Sequence, residues 1–180
     1  MIDRPHWWQR IEAAWQEAPI VWHCGVRRSG KTTLTQQLGE ARVHYVNCDL
    51  PVVEDMVRDP ELFYRGCPEP VVVFDEIHQL RDPSALLKVG ADRFPQLRIL
   101  ATGSSTLAAS RKFRDTLTGR KRLVQLVPVL WNELEAFGNV PLLRRLLHGG
   151  LPPALLAYSK QPAFYREWLD SFFARDLQRL

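Results

Sequence analysis

Five short β-like runs stand out along the chain: IVWHC at 20–24, RVHYVNC at 42–48, VVVF at 71–74, RILAT at 98–102 and RLVQLV at 122–127. The third is apolar at every position, as expected of a strand buried on both faces. The segments between them read as helical. In KTTLTQQLGEA, Leu34 and Leu38 stand four apart on one helical face. In DPSALLKVGADRF, Asp82 is placed to cap a helix whose first residue is Pro83. Strand, helix and strand in repetition predict an α/β fold: a parallel sheet of five strands covered by helices. Ahead of the first strand, Trp8, Ile11 and Trp15 recur at spacings of three and four and predict a helix packed on that sheet.

Beyond Pro128 the pattern turns wholly helical, in stretches broken by Gly149, Gly150, Pro152 and Pro153. This divides the chain into a core at 1–127 and a helical C-terminal extension at 128–180, read as the start of a second domain. The final amphipathic segment stops at Leu180 without a capping glycine or polar tail, which reads as a chain cut short of a longer protein.

Composition narrows the class. With 180 residues, 46% hydrophobic and 24% charged, the chain can bury a sizeable core and lies outside the disordered class. No apolar run approaches the ~20 residues of a membrane span, and the N-terminus lacks a basic-then-apolar signal layout. Cys24, Cys48 and Cys67 form no CxxC pair, which argues against a disulfide framework or zinc site and for a cytoplasmic setting. The net charge of +4 carries little information by itself. Its bias towards arginine suits contacts with phosphate or carboxylate.

The chemistry concentrates at strand ends. GVRRSGKT at 25–32 satisfies G-x-x-x-x-G-K-[ST] between a strand and a helix. Gly25 and Gly30 permit a tight turn that points several N–H groups at one anion, and the following helix adds its positive end. Lys31 then reaches the outer phosphates, and the Thr32 hydroxyl serves Mg2+. Arg28, Ser29 and Thr33 complete the loop as candidate nucleotide contacts. In VVVFDEIH, Asp75 and Glu76 follow the most apolar strand, at the sheet edge where α/β proteins bind ligands. Asp75 is assigned to the Mg2+ shell and Glu76 to orienting a water. The fourth strand ends in Thr102, Gly103 and Ser104; inserted between the first and third strands, it brings Thr102, or failing that Ser104, near the terminal phosphate as a sensor.

The stretch SRKFRDTLTGRKRL carries Arg111, Lys112, Arg114, Arg120, Lys121 and Arg122 against one acid, Asp115. Three readings stand: an arginine finger, Arg120, supplied in trans; a nucleic-acid backbone contact; or a solvated face. His23 and His78 read as structural, Asp49 as a turn residue, and Cys24 and Cys48 as small strand hydrophobes.

Together, GVRRSGKTTL, VVVFDEIHQL, ILATGSS and LTGRKRLVQLVPVLWNELEAF resemble the AAA+-like predicted ATPases of bacteria and archaea, in which an ATPase domain precedes a C-terminal domain of unknown function. GGLPPALL and FFARDL are similar to later signatures of that family. The resemblance implies a P-loop NTPase fold with RecA/AAA+-like strand order 5-1-4-3-2. It also implies ATP phosphates on Gly25, Gly30, Lys31 and Thr32, Mg2+ on Asp75, water polarised by Glu76, and Thr102 or Ser104 as sensor. Arg120 matches a recurrent family position. No second-sensor arginine on a complete lid is present. The expectation is Mg-dependent ATP hydrolysis, with self-association supplying an arginine in trans, nucleic acid as a further candidate partner, and no membrane. The alternative is an ATP-bound switch or scaffold with little turnover.

Overall fold

The computed structural model describes residues 2–38, 42–104 and 117–176, with backbone alone at Ser104 and at 175–176. Its strands are β1 (Ile20–Gly25), β2 (Val43–Asn47), β3 (Val71–Asp75), β4 (Arg98–Ser104) and β5 (Lys121–Leu126). All pair in parallel, in the spatial order β2-β3-β4-β1-β5, which is the expected order read from the other edge. The helices are α1 (Pro5–Glu17), α2 (Lys31–Gln36), α3 (Val52–Met56), α4 (Pro60–Arg65) and α5 (Pro83–Arg93), then α6 (Leu142–His148), α7 (Pro152–Leu156) and α8 (Pro162–Ser171) after the sheet.

Strand alternation sorts the core into two layers. Ile20, Trp22, Val72, Phe74, Ile99 and Ala101 face α4 and α5, which contribute Phe63, Tyr64, Leu86 and Leu87. Val21, Val73, Leu100, Val124 and Leu126 face α1 and α2, which contribute Trp7, Ile11, Trp15 and Leu34. Each such side chain, fully buried, contributes ~1.5–3 kcal/mol, so the two layers dominate folding. Asp82 caps α5 as expected, its carboxylate accepting from the Ala85 N–H at 3.0 Å with Pro83 in the first turn.

One expectation is corrected in phase. Pro5 opens α1, and the helix turns Trp7 rather than Trp8 fully inward together with Ile11 and Trp15, leaving Trp8 partly buried. The Trp15 indole also donates to the Ile99 carbonyl at 3.0 Å, tying α1 to the centre of the sheet. Beyond β5, Val129, Leu134, Phe137, Val140 and Leu155 form a third, smaller cluster against which Ile2 packs. No described helix is long and apolar enough to cross a membrane.

Candidate active site

The loop after β1 explains its glycines differently at each end. A Cβ on Gly25 would lie 2.5 Å from the Leu126 carbonyl oxygen and 3.1 Å from Ser29 Oγ, so glycine is dictated there by the closeness of β5. Gly30 is the residue that needs left-handed backbone, at φ +97°, where it precedes α2. Arg28 adopts the same region at φ +62° and completes the concave turn. Ser29 is wholly buried and its hydroxyl makes no hydrogen bond, so it serves the site through backbone; its carbonyl accepts from Arg4 Nη1 at 2.9 Å.

Lys31 closes the loop from within. Its ammonium donates to the carbonyls of Gly25 at 3.1 Å and Val26 at 3.3 Å. Two of its three donors are thereby engaged, and one remains for an anion. Burial lowers its pKa, while the carboxylates of Glu76 and Asp75 counter that shift.

The acidic pair is turned apart by backbone geometry. Asp75 ends β3 and is buried, whereas Glu76 takes left-handed backbone at φ +54° and swings out of the strand alternation. Thr102 Oγ1 donates to Asp75 Oδ1 at 2.5 Å and accepts the Glu76 N–H at 2.9 Å. Tyr45 of β2 donates its hydroxyl to Asp75 Oδ2 at 2.7 Å, and burial followed by the Asp75 carboxylate pushes its pKa up. Glu76 Oε2 lies 3.1 Å from Nδ1 of the buried His78 ring, an ion-pair separation rather than an aligned hydrogen bond. His78 and then Lys31 hold the Glu76 carboxyl below its ordinary pKa against the opposing effect of burial, so it is ionised at neutral pH.

These parts meet around one cavity of about 460 Å³, lined by Arg27, Arg28, Gly30, Lys31, Thr32, Thr33 and Glu76 together with Pro152, Pro153 and Ser171 of the helical extension. A second, largely apolar cavity of about 360 Å³ shares Gly30, Thr33, Pro152 and Pro153 with it and continues past Ile2, Leu34, Phe137 and Leu156. The structure thus gathers the loop, Glu76, Asp75 and Thr102, with Asp75 and Thr102 behind the cavity wall. Ser104 ends β4 in register with Gly25, two positions beyond Thr102.

Arg120 is not brought to this site. It precedes β5, at the sheet edge opposite the loop, and forks onto Asp92 at 2.6 and 3.0 Å. Lys121 and Arg122 open β5 at that same edge, and Arg122 pairs with Glu17 at 2.6 Å. Arg111, Lys112, Arg114 and Asp115 lie outside the described residues. His23 lies under the loop, wholly buried, its pKa brought down to about 3 by burial and then by Lys31, so it is a neutral core residue.

Divalent-ion chemistry fits the donor set. A carboxylate offers about four lone-pair positions, and two hydroxyls use one on each Asp75 oxygen. The Thr32 hydroxyl adds a second hard oxygen at the cavity wall. No cluster of three or more acidic, His or Cys ligands exists among the described residues. The Asp75 carboxylate and the Thr32 hydroxyl are donors of the kind Mg2+ takes, one or two protein oxygens with water and phosphate for the rest.

Sequence reasoning did not find Tyr45, Arg4, His78 as a partner of Glu76, or Trp168. The indole of Trp168 in α8 donates to the Arg27 carbonyl at 3.0 Å. Beside it the Arg28 guanidinium lies 4.8 Å from the Phe164 ring centroid and 3.5 Å from Glu167.

Comparison with known proteins agrees with this fold. The AAA_14 family, described as an AAA domain, matches residues 17–135. The chain is 30% identical over 184 residues to uncharacterized protein Rv2008c of Mycobacterium tuberculosis, covering all of this chain and 41% of that protein, so it spans less than half the relative's length. Among solved structures, the Walker-type ATPase paby2304 of Pyrococcus abyssi superposes with a TM-score of 0.60 at 19% identity, over 99% of this chain and 71% of that one. The S. cerevisiae Hsp104–ADP complex superposes with a TM-score of 0.63 at 14% identity, over 87% of this chain and 30% of that one. Both likenesses concern the fold.

Proposed function

The chain belongs to the AAA domain family, and from that premise we propose that it binds Mg-ATP at the loop of residues 25–32 and hydrolyses it. The observation that carries this reading is the convergence of Lys31, Thr32 and Glu76 on one cavity with Asp75 directly behind. The loop amides and the remaining Lys31 donor would hold the phosphates, with Arg28 and Thr33 at the rim. The adjoining apolar cavity has the character required for a nucleobase. Thr32 and Asp75 would hold the magnesium ion, which when bound neutralises developing phosphate charge.

Glu76, ionised and fixed by His78 and by its own amide on Thr102, accepts a hydrogen bond from a water and orients it for attack. The water oxygen bonds to the γ-phosphorus, the bond to the bridging oxygen breaks, and ADP departs. The water proton passes to Glu76 and thence to the released phosphate. Thr102 acts through Asp75 and the Glu76 amide, so a shift at the terminal phosphate reaches β4 by hydrogen bonds.

Phosphate release by wild type, Lys31→Ala and Glu76→Gln over a range of protein concentrations tests the reading. Lys31→Ala is expected to lose nucleotide binding, and Glu76→Gln to bind without turnover. Retention of turnover in Glu76→Gln would remove Glu76 from the mechanism.

A second reading is a nucleotide-bound switch or scaffold with little turnover. It is favoured by one observation: among the described residues, the arginines lining the phosphate cavity are the loop's own Arg27 and Arg28. An added finger is worth ~10³–10⁵ in rate at such sites. Turnover per subunit that rises with concentration supports a finger supplied by self-association; flat, very slow turnover supports the switch. A cytoplasmic location and a nucleic-acid partner belong to this proposal only as expectations from composition and charge.

A further inference from the structure

Tyr45 is a strand residue that neither the motif pattern nor the proposed reaction uses. Its ring leaves β2 opposite Val73, two positions before the level of Asp75. That is about 6.6 Å along a strand, a gap only a long side chain can bridge. Asn47, directly opposite Asp75, does not take the role; its amide oxygen accepts instead from the Asp49 N–H at 3.0 Å. The Tyr45 hydroxyl reaches Asp75 Oδ2 at 2.7 Å while Thr102 holds Oδ1.

We propose that Tyr45 is a positioning residue for magnesium: its hydroxyl fixes the Asp75 carboxylate from the side opposite Thr102. This rests on the Mg-ATP reading above and names the outer support of its acidic metal ligand. Two hydroxyl donors, one on each oxygen, set the carboxylate plane and leave one lone-pair position per oxygen for a cation. With Thr102 alone, the carboxylate is free to rotate about its Cβ–Cγ bond, and the ion must select one orientation from several. Removing a partner that orients a metal ligand typically weakens metal affinity ~10–100-fold.

The test titrates Mg2+ against binding of a fluorescent ATP analogue to wild type, Tyr45→Phe and Tyr45→Ala, with an EDTA arm for metal-free affinity. Tyr45→Phe keeps the ring and is expected to leave metal-free nucleotide affinity unchanged while moving the magnesium midpoint up about tenfold or more. Tyr45→Ala is expected to show the same midpoint, with an added loss of thermal stability. A Tyr45→Phe midpoint equal to or below wild type overturns the proposal, including the case in which only Tyr45→Ala shifts, for then ring packing and not the hydroxyl matters. If wild-type nucleotide affinity itself ignores magnesium, the metal reading and this proposal fail together.

Discussion

Arg4 and Glu133, 129 positions apart, form a buried fork, with Nε on Oε1 at 2.6 Å and Nη2 on Oε2 at 2.8 Å. The remaining nitrogen, Nη1, holds the Ser29 carbonyl at 2.9 Å. The segment ahead of α1, the turn after β5 and the base of the phosphate loop therefore share one guanidinium. Only arginine offers three such donors in one plane.

Breaking this fork strands a charge. Both side chains are about 95% buried, so Arg4→Ala leaves Glu133 unpaired and is expected to cost about 3–5 kcal/mol in urea unfolding. Nucleotide affinity should fall in the same variant, because the support of Ser29 is lost. The pH dependence has a definite sign. Burial pushes the Glu133 carboxyl up, but Arg4 and the Leu130 amide overcome it and hold the net pKa below the ordinary 4.5. The stabilisation is therefore present above about 4.5 and is lost as pH falls through the lower folded value. Arg4→Ala should flatten the acid limb of stability against pH, and an unchanged limb would remove Glu133 as its source.

Gly25→Ala tests whether the loop's first glycine is set by β5. The added methyl would meet the Leu126 backbone carbonyl, which no rotamer change can move aside. Overpacking of this kind costs about 1–3 kcal/mol, and relief must come from separating β1 and β5. Thermal unfolding should show the loss without nucleotide present. A variant as stable as wild type that fails only in ATP binding would instead assign Gly25 to phosphate geometry.

Much of this architecture was legible in the sequence, for reasons that also explain the omissions. The run at 71–74 could be read because burial on both faces leaves it no polar position, and Asp82–Pro83 because capping is local chemistry. The loop and Asp75–Glu76 carry their chemistry in spacing. By contrast, Tyr45 reaches Asp75 across 30 positions, and Trp168 reaches Arg27 across 141. Such contacts depend on strand register and on where a helix docks, which no local pattern encodes. The inward tryptophan of α1 was a choice between adjacent residues, decided by how the helix docks on the sheet, where Trp7 joins Ile11 and Trp15. Arg120 is a different case: the fold keeps it away from this chain's own site and pairs it with Asp92, and a role in trans depends on a neighbour that no local pattern encodes.

Arg120→Ala follows from that placement. Its fork onto Asp92 lies at the surface, where ion pairs are screened and contribute little. Phosphate release per subunit is expected to stay within about twofold of wild type at every protein concentration. A finger in trans would instead lose ~10³-fold or more, and the loss would appear only where wild type is concentrated enough to associate.

Trp168 offers the sharpest test of how the helical extension bears on the nucleotide site. Its ring stacks on Phe172 at 5.6 Å and 3° while its N–H holds the Arg27 carbonyl, so α8 grips the loop from outside. Trp168→Phe keeps the stack and deletes one donor. A neutral hydrogen bond of this kind contributes ~0.5–1.5 kcal/mol, equivalent to a change of roughly twofold to tenfold in an equilibrium constant. Hydrogen exchange at the amides of residues 27–29 is expected to quicken by that factor in the nucleotide-free protein, and nucleotide affinity to weaken similarly, with global stability lowered by no more than the same ~0.5–1.5 kcal/mol. Faster exchange without an affinity change would mean that the bond holds equally in the empty and the nucleotide-bound loop, and tighter binding would mean that nucleotide releases α8. Unchanged exchange would mean that Arg28, through Phe164 and Glu167, carries the docking alone.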